Sequence, residues 1–437
     1  MSLSEITAYR ARILHFTAMP DPHTGAGVEY FDDGVLLVER GYIKALGSAA
    51  DMAQQGLDLQ QCQHFPLHLI MPGFIDSHIH YPQTRVIASY GEQLLDWLND
   101  YTFPAEMVFS NPDIAAQRAQ EFLQLLLQNG TTSAMVYTSV FAQSAHAFFA
   151  AAEQLNLRMI AGKVMMDRNA PPPLLDTPAS SETDCRALIE AWHKHKRLQY
   201  ALTPRFAPTS SPEQLAVVRK LYRAYPDVYL QTHLSENPQE IAWIKTLYPQ
   251  SRDYVDVYDH YELLGARSVF GHGLHLSDRE VERLAQSQSG IAFCPSSNLF
   301  LGSGLLDMAR LERAGVAVSI ATDVGAGTSF SQLRTLADAY KVLQLQGQNL
   351  HPLKAFYMAT LGNARALQLD NCIGNFEPGK EADFILLNLN ATPLQTLRQQ
   401  SATHWVEQVF ALMMLGDEHN IARTYIMGEL VFQRGAH

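Results

Sequence analysis

The sequence predicts an α/β fold, a (β/α)8 TIM-like barrel carrying a small β-sandwich domain formed from both chain termini. Three observations predict it. Eight apolar, strand-like runs follow one another through the middle of the 437-residue chain. Segments of helical period separate most of them, and buried runs that alternate with helices build a parallel sheet. The two ends read differently, as short strands around glycine turns. The expected divisions are 1–68 and 371–437 for the two parts of the β-sandwich and 69–370 for the barrel. A chain of this length suits one large barrel plus an accessory domain.

Near the N-terminus, GVLLVERGYIKALG (34–47) reads as two strands around Gly41. The barrel runs follow: LIMPGFIDSHIH, TTSAMVYTS, RMIAGKVMMD, LQYALTPRF, VYLQTHLSE, SVFGHGLHL, GIAFCPSSN and VAVSIATDVG. The clearest helix is DIAAQRAQEFLQLLLQNG (113–130), which closes on the C-capping Gly130. The last run feeds a helical pattern, SQLRTLADAYKVLQLQ (331–346). ADFILLNL (382–389) and ARTYIMGELVFQRG (422–435) return to strand character, with Gly428 at a turn.

Composition narrows the function. Hydrophobic residues make up 47% and charged residues 17%, an ordinary globular balance. A formal charge of −12 and no Lys/Arg cluster argue against a nucleic-acid partner. The N-terminal stretch lacks the unbroken apolar core of a signal peptide, and no apolar run approaches the roughly 20 residues that span a bilayer. Cys62, Cys185, Cys294 and Cys372 are scattered without CxxC spacing, so reduced thiols in a cytoplasmic protein are expected. GNFEPGKE (374–381) has the spacing of a phosphate loop, but Glu381 stands where Ser or Thr must hold Mg²⁺, and the segment precedes a strand.

In such a barrel the active site lies at the C-terminal ends of the strands. The first run ends in His78 and His80, the fourth in Arg205 and Phe206, and the fifth in His233 followed by Glu236. The sixth carries His272 and the eighth ends in Asp323. On a strand, residues i and i+2 share a face, so His78 and His80 can aim together into the barrel mouth and bind one metal. His233 and Asp323 could complete the set. Three imidazoles and one carboxylate suit Zn²⁺ best, with Fe²⁺ as second choice, and leave a position for water. Burying so many titratable groups without a ligand would carry a heavy desolvation cost. Asp76 reads as a residue that orients the first strand, His275 as structural, and His193, His195, His260 and His351 as surface residues. Trp97 is expected either in helix core or in the pocket wall.

These residues resemble the amidohydrolase superfamily, in its mononuclear branch: LTPRF stands where a metal-bridging lysine would be needed. Within that branch the chain is similar to the guanine deaminases, on HIHYPQ, YGEQLLDWLNDYTFPAE, KVMMDRN, TPRFAPTSSPEQL, THLSENPQEI, CPSSNLFLGSG and TDVGAGTSF. The resemblance implies hydrolytic deamination of guanine to xanthine and ammonia by a zinc-activated water, in purine salvage and catabolism, by a cytoplasmic homodimer. It implies one Zn²⁺ on His78, His80, His233 and Asp323. Glu236 would shuttle protons, with Asp323 and His272 assisting. Gln83, Arg205, Phe206 and His272 would contact the base. A guanidinium has only donors, so Arg205 would take the C6 carbonyl oxygen and leave C2 at the metal.

Three competing readings remain. A sister hydrolase could deaminate another aminopurine, a pterin or a triazine, and only pocket residues would tell it apart. A binding protein with a vestigial site would have lost Glu236 or a ligand, and neither is lost. A structural metal would be closed by four protein ligands and need no further carboxylate.

Overall fold

The computed structural model describes residues 6–90 and 94–435. Residues 91–93 of the YGEQLLDWLNDYTFPAE segment lie outside the described residues. The first four strands are β1 (Ile6–Phe16), β2 (Val28–Glu39), β3 (Tyr42–Ser48) and β4 (Gln63–Pro72). The barrel follows with β5 (Phe74–His80), β6 (Thr131–Tyr137) and β7 (Arg158–Gly162). A two-residue strand, β8 (Val164–Met165), precedes β9 (Leu198–Pro204) and β10 (Tyr229–Leu234). Then come β11 (Ser268–His272), β12 (Gly290–Phe293) and β13 (Ala317–Ile320). The chain ends with β14 (Phe384–Asn388), β15 (Ile421–Ile426) and β16 (Glu429–Gln433).

Eight parallel strands run β5-β6-β7-β9-β10-β11-β12-β13, with β8 paired to β9 off that path. Every residue of β5 and β6 is buried, as expected of a parallel sheet covered on both faces. Inside the barrel, Ile75, Met135, Ile160, Ala201, Tyr229, Val269 and Ala292 come one from each of seven strands, and Ala321 follows the eighth. That is a packed floor, not a pore. The ring is fastened between its first and last strands by backbone bonds. Asp323 N–H donates to His78 O at 2.9 Å and His80 N–H to Val324 O at 2.8 Å. Asn363 Nδ2 donates across the same seam to Ile75 O and Ile320 O, at 2.7 and 2.8 Å.

The chain termini form one seven-stranded sheet, ordered β16-β15-β14-β4-β1-β2-β3. Its β1–β4 pair is parallel and the other pairs are antiparallel. The sheet curls over itself into two layers. Tyr9 on β1 packs on Tyr425 of β15 with ring centroids 5.3 Å apart, although β4 and β14 lie between them in the sheet. Two helices, Pro393–Gln400 and Trp405–Leu415, are inserted between β14 and β15, in a stretch to which the sequence pattern assigns no element.

The run LIMPGFIDSHIH is not one strand. It divides at Gly73: β4 belongs to the terminal sheet and β5 to the barrel. Gly73 N–H donates to Asp383 O of the terminal sheet at 3.0 Å, and the next amide, Phe74 N–H, donates to Gly130 O at 2.9 Å. Any Cβ at Gly73 would collide with the Thr132 side chain, so only glycine lets the strand change partners there. Ion pairs fasten the two units further. Arg158 and Arg197, at the starts of barrel segments, pair with Glu381, and Arg197 also pairs with Asp383. This pairing is the role of Glu381, the residue that disqualified the phosphate-loop reading. Among the described residues, no helix is long and apolar enough to cross a membrane.

Candidate active site

The C-terminal ends of the barrel strands converge on one cluster. His78 and His80 leave β5 on the same face, and their Nε2 atoms stand 3.3 Å apart. His233 Nε2, from β10, lies 3.2 Å from His80 Nε2. Asp323 Oδ1 lies 3.3 Å from both His78 Nε2 and His80 Nε2. His272, at the end of β11, brings Nε2 to 3.8 Å from Asp323 Oδ2. His78, His80, His272 and Asp323 are buried and His233 is partly buried. His272 and Asp323 hold left-handed backbone, with φ of 71° and 52°, a strain that recurs where a fold must aim a functional side chain.

The donor set fits a metal. Arg205 O lies 2.7 Å from His233 Nδ1; a carbonyl can only accept, so Nδ1 carries the proton and Nε2 faces the cluster bare. Burial pushes His80 down to about 3, so its imidazole is neutral. Three imidazole Nε2 atoms and a carboxylate oxygen meet within 3.2–3.3 Å of their neighbours, and one cation among them would take a lone pair from each. Asp76 stands behind the cluster. Its Oδ2 accepts from Thr322 Oγ1 at 2.5 Å and its Oδ1 from Thr322 N–H at 3.1 Å, which ties the first strand to the residue preceding Asp323. His275 binds Ser303 O through Nε2 at 2.8 Å, a structural contact. His193 is not on the surface: its side chain is 7% exposed and Nδ1 accepts Tyr200 N–H.

Beside the cluster opens a narrow cleft at the barrel mouth. His80, Gln83, Trp97, Arg205, Phe206, His233, Glu236, His272 and Asp323 all line it. Trp97 therefore belongs to the wall as well as to an apolar cluster with Leu94, Leu98, Phe206 and Leu301. Its indole Nε1–H is buried and has no partner among the described residues. Glu236 directs Oε2 to 3.4 Å from His272 Nε2, and its Oε1 accepts from Ser303 Oγ at 3.2 Å. Burial, then the nearby Asp323 charge, pushes Glu236 up to about 8, so it carries a proton at neutral pH. His272 Nδ1 bonds to Asn298 Oδ1 at 2.9 Å, which sets the ring so that Nε2 faces Glu236.

Sequence reasoning missed several of these partners. Ser303 and Asn298 sit inside CPSSNLFLGSG, but hydroxyls and amides in a loop give no periodic signal. Glu106 was also missed. It is 1% exposed, and both its carboxylate oxygens lie 2.7 Å from Arg205 Nη1. Arg205 is thus a buried pair on the cleft wall, not a surface ion pair.

The Amidohydrolase family model matches residues 69–431. The chain is 50% identical over 409 residues to the guanine deaminase of Escherichia coli (strain K12), covering 94% of this chain and 93% of that one. It superposes on the solved E. coli guanine deaminase with a TM-score of 0.95 at 48% identity, covering 98% and 100% of the two chains. Guanine deaminase from C. acetobutylicum, solved with guanine bound in the active site, superposes with a TM-score of 0.88 at 28% identity, over 98% and 100%.

Proposed function

This chain belongs to the amidohydrolase family, and on that premise we propose that it is a guanine deaminase, hydrolysing guanine to xanthine and ammonia. One observation carries the reading: a single cleft at the barrel mouth holds the His/Asp cluster, Glu236 and Arg205 together. Near-complete coverage of relatives named for this activity supports the same substrate.

His78, His80, His233 and Asp323 would hold the metal, and zinc is the ion that three imidazoles and a carboxylate suit best. When bound, such an ion lowers the pKa of a coordinated water toward roughly 7. The protein supplies the rest. Asp323 accepts a proton from the attacking water. Attack at C2 of guanine places electron density on N3, and Glu236 delivers a proton there. Glu236, now a carboxylate, takes the remaining proton of the added hydroxyl and carries it to the departing amine, and His272, 3.4 Å from Glu236, steadies the tetrahedral centre. The proton held by Asp323 then restores Glu236. Such acid–base help contributes on the order of 10²–10⁴ in rate. Arg205 donates to the C6 oxygen, Gln83 pairs with a ring nitrogen, and Phe206 and Trp97 cover the purine faces. Arg205 thereby presents C2, and not C6, to the water. A homodimer working in cytoplasmic purine catabolism goes with this reading, supported by the family resemblance.

The test is ammonia release from guanine, adenine, cytosine, 8-oxoguanine and a pterin. Guanine should give the highest kcat/KM. A higher value for the pterin or another aminopurine would transfer the protein to a sister hydrolase of the same fold.

A further inference from the structure

We propose that Glu106 is a positioning residue that sets the base specificity of the cleft by turning the free donors of Arg205 and Gln83 toward acceptors on the substrate. The proposal rests on the guanine reading above and deepens it. Glu106 does not line the cleft; it stands behind the two residues that do. Its two oxygens take hydrogen bonds from Arg205 Nη1, both at 2.7 Å. Oε1 also accepts from Gln83 Nε2 at 3.3 Å.

The hydrogen count then decides what the cleft presents. The guanidinium has five N–H groups in a fixed plane, and Glu106 engages those on Nη1. The Nε–H and Nη2–H groups have no partner among the described residues. Gln83 is fixed at both ends of its amide: Oε1 accepts Gly325 N–H at 3.2 Å, and Nε2 gives one hydrogen to Glu106. One Nε2 hydrogen remains. The ring of Phe103 lies under the guanidinium, 5.5 Å from its Cζ, and closes the plane from one side. This part of the wall therefore offers N–H donors from Arg205 and Gln83, while the Glu106 carboxylate that holds them stays outside the lining. Such a surface accepts a carbonyl oxygen and rejects an exocyclic amine. Glu106 also neutralises the buried Arg205 charge, so a neutral base meets no lone charge.

The sequence assigned the reading of the C6 oxygen to Arg205, beside base contacts from Gln83, Phe206 and His272. The structure makes the orientation of Arg205 depend on Glu106, because Phe103 only bounds the guanidinium plane and no other side chain among the described residues hydrogen-bonds to it. With neutral Gln at 106, the position offers one acceptor where the carboxylate offered two, plus an amide that competes with Arg205 for it.

The experiment compares kcat/KM for guanine with that for 2-aminopurine, which keeps the C2 amine and lacks the C6 oxygen. Wild type, E106Q, E106D, R205Q and E106Q/R205Q are measured, with metal content and Tm for each. In E106Q the guanine-to-2-aminopurine ratio should fall by about tenfold or more, as expected for a misdirected charge-assisted hydrogen bond. Metal content should be retained, and E106D should lie between. The double variant, which leaves no lone charge in the wall, should show the same ratio as R205Q. An unchanged ratio in E106Q and E106D would overturn the proposal. So would equal losses on both substrates, or a double variant whose losses multiply. Wild type that releases ammonia from neither substrate would overturn the guanine reading itself, which is a separate result.

Discussion

Gly271 lies against the imidazole of His78: a Cβ built on it would stand 2.6 Å from His78 Cε1 and 3.0 Å from Nδ1. The register places Gly271 opposite His233, so the inward face of β11 is left empty where two imidazoles crowd in from neighbouring strands. Gly271→Ala needs no unusual backbone, and its only effect is to fill that space. His78 should be displaced, and metal content and activity should fall together, by at least about tenfold in activity. Elemental analysis and turnover, measured on one preparation, check this. Full metal with full activity would show that His78 has room to move.

Removal of the metal should act in the same direction. His80→Ala or His233→Ala deletes a donor from the cluster, so metal content should drop and activity should fall to near background. A chelator should abolish wild-type activity, and added Zn²⁺ should restore it. Fully active protein without any transition metal would exclude the metal reading.

Glu236→Gln preserves size and hydrogen bonding to Ser303 but removes the titratable proton. Retained metal and near-normal guanine binding are expected, with kcat lower by on the order of 10²-fold or more. Pre-steady-state and steady-state assays separate binding from chemistry. A variant that keeps most of its kcat would remove Glu236 from the proton path.

The Arg158–Glu381–Arg197 cluster predicts a pH-dependent stability. Burial alone would raise the Glu381 carboxyl, but the Arg158 hydrogen bond and the Arg197 and Arg158 charges hold it below its ordinary 4.5. A carboxyl lowered in the folded state stabilises above its unfolded value and loses that contribution as pH falls through the folded value. Asp383 is raised, burial outweighing Arg197, so its contribution runs the other way. Glu381→Gln should therefore cost about 3 kcal/mol near neutrality, and its Tm should fall less steeply than that of wild type below about pH 4.5. Parallel Tm profiles would contradict the assignment.

Much of this was legible in the sequence, for identifiable reasons. Parallel barrel strands are buried on both faces, so they stand out as apolar runs, and ligands at their ends inherit the two-residue period that brought His78 and His80 together. Trp97 was apolar and ambiguous, because a pocket wall and a helix core look alike in one dimension. Glu106 was illegible for a stronger reason: a glutamate within a helical stretch normally marks a solvated face. Only the position of Arg205, 99 residues away, makes it buried. The break at Gly73 was hidden because both halves of LIMPGFIDSHIH are apolar, and the change of sheet shows only in partner bonds.

The seam between β5 and the segment after β13 also bears on how the protein is made. Asp76 and Thr322, which tie its two sides, are 246 residues apart. On the ribosome the first barrel strand emerges long before the segment that closes it, so this pairing is among the last contacts available to the growing chain. The same segment brings Asp323. Until it arrives the nascent chain holds three histidines without their carboxylate, beside an unpaired strand edge. Site and barrel are therefore completed in one event, and a chain interrupted before residue 323 lacks both.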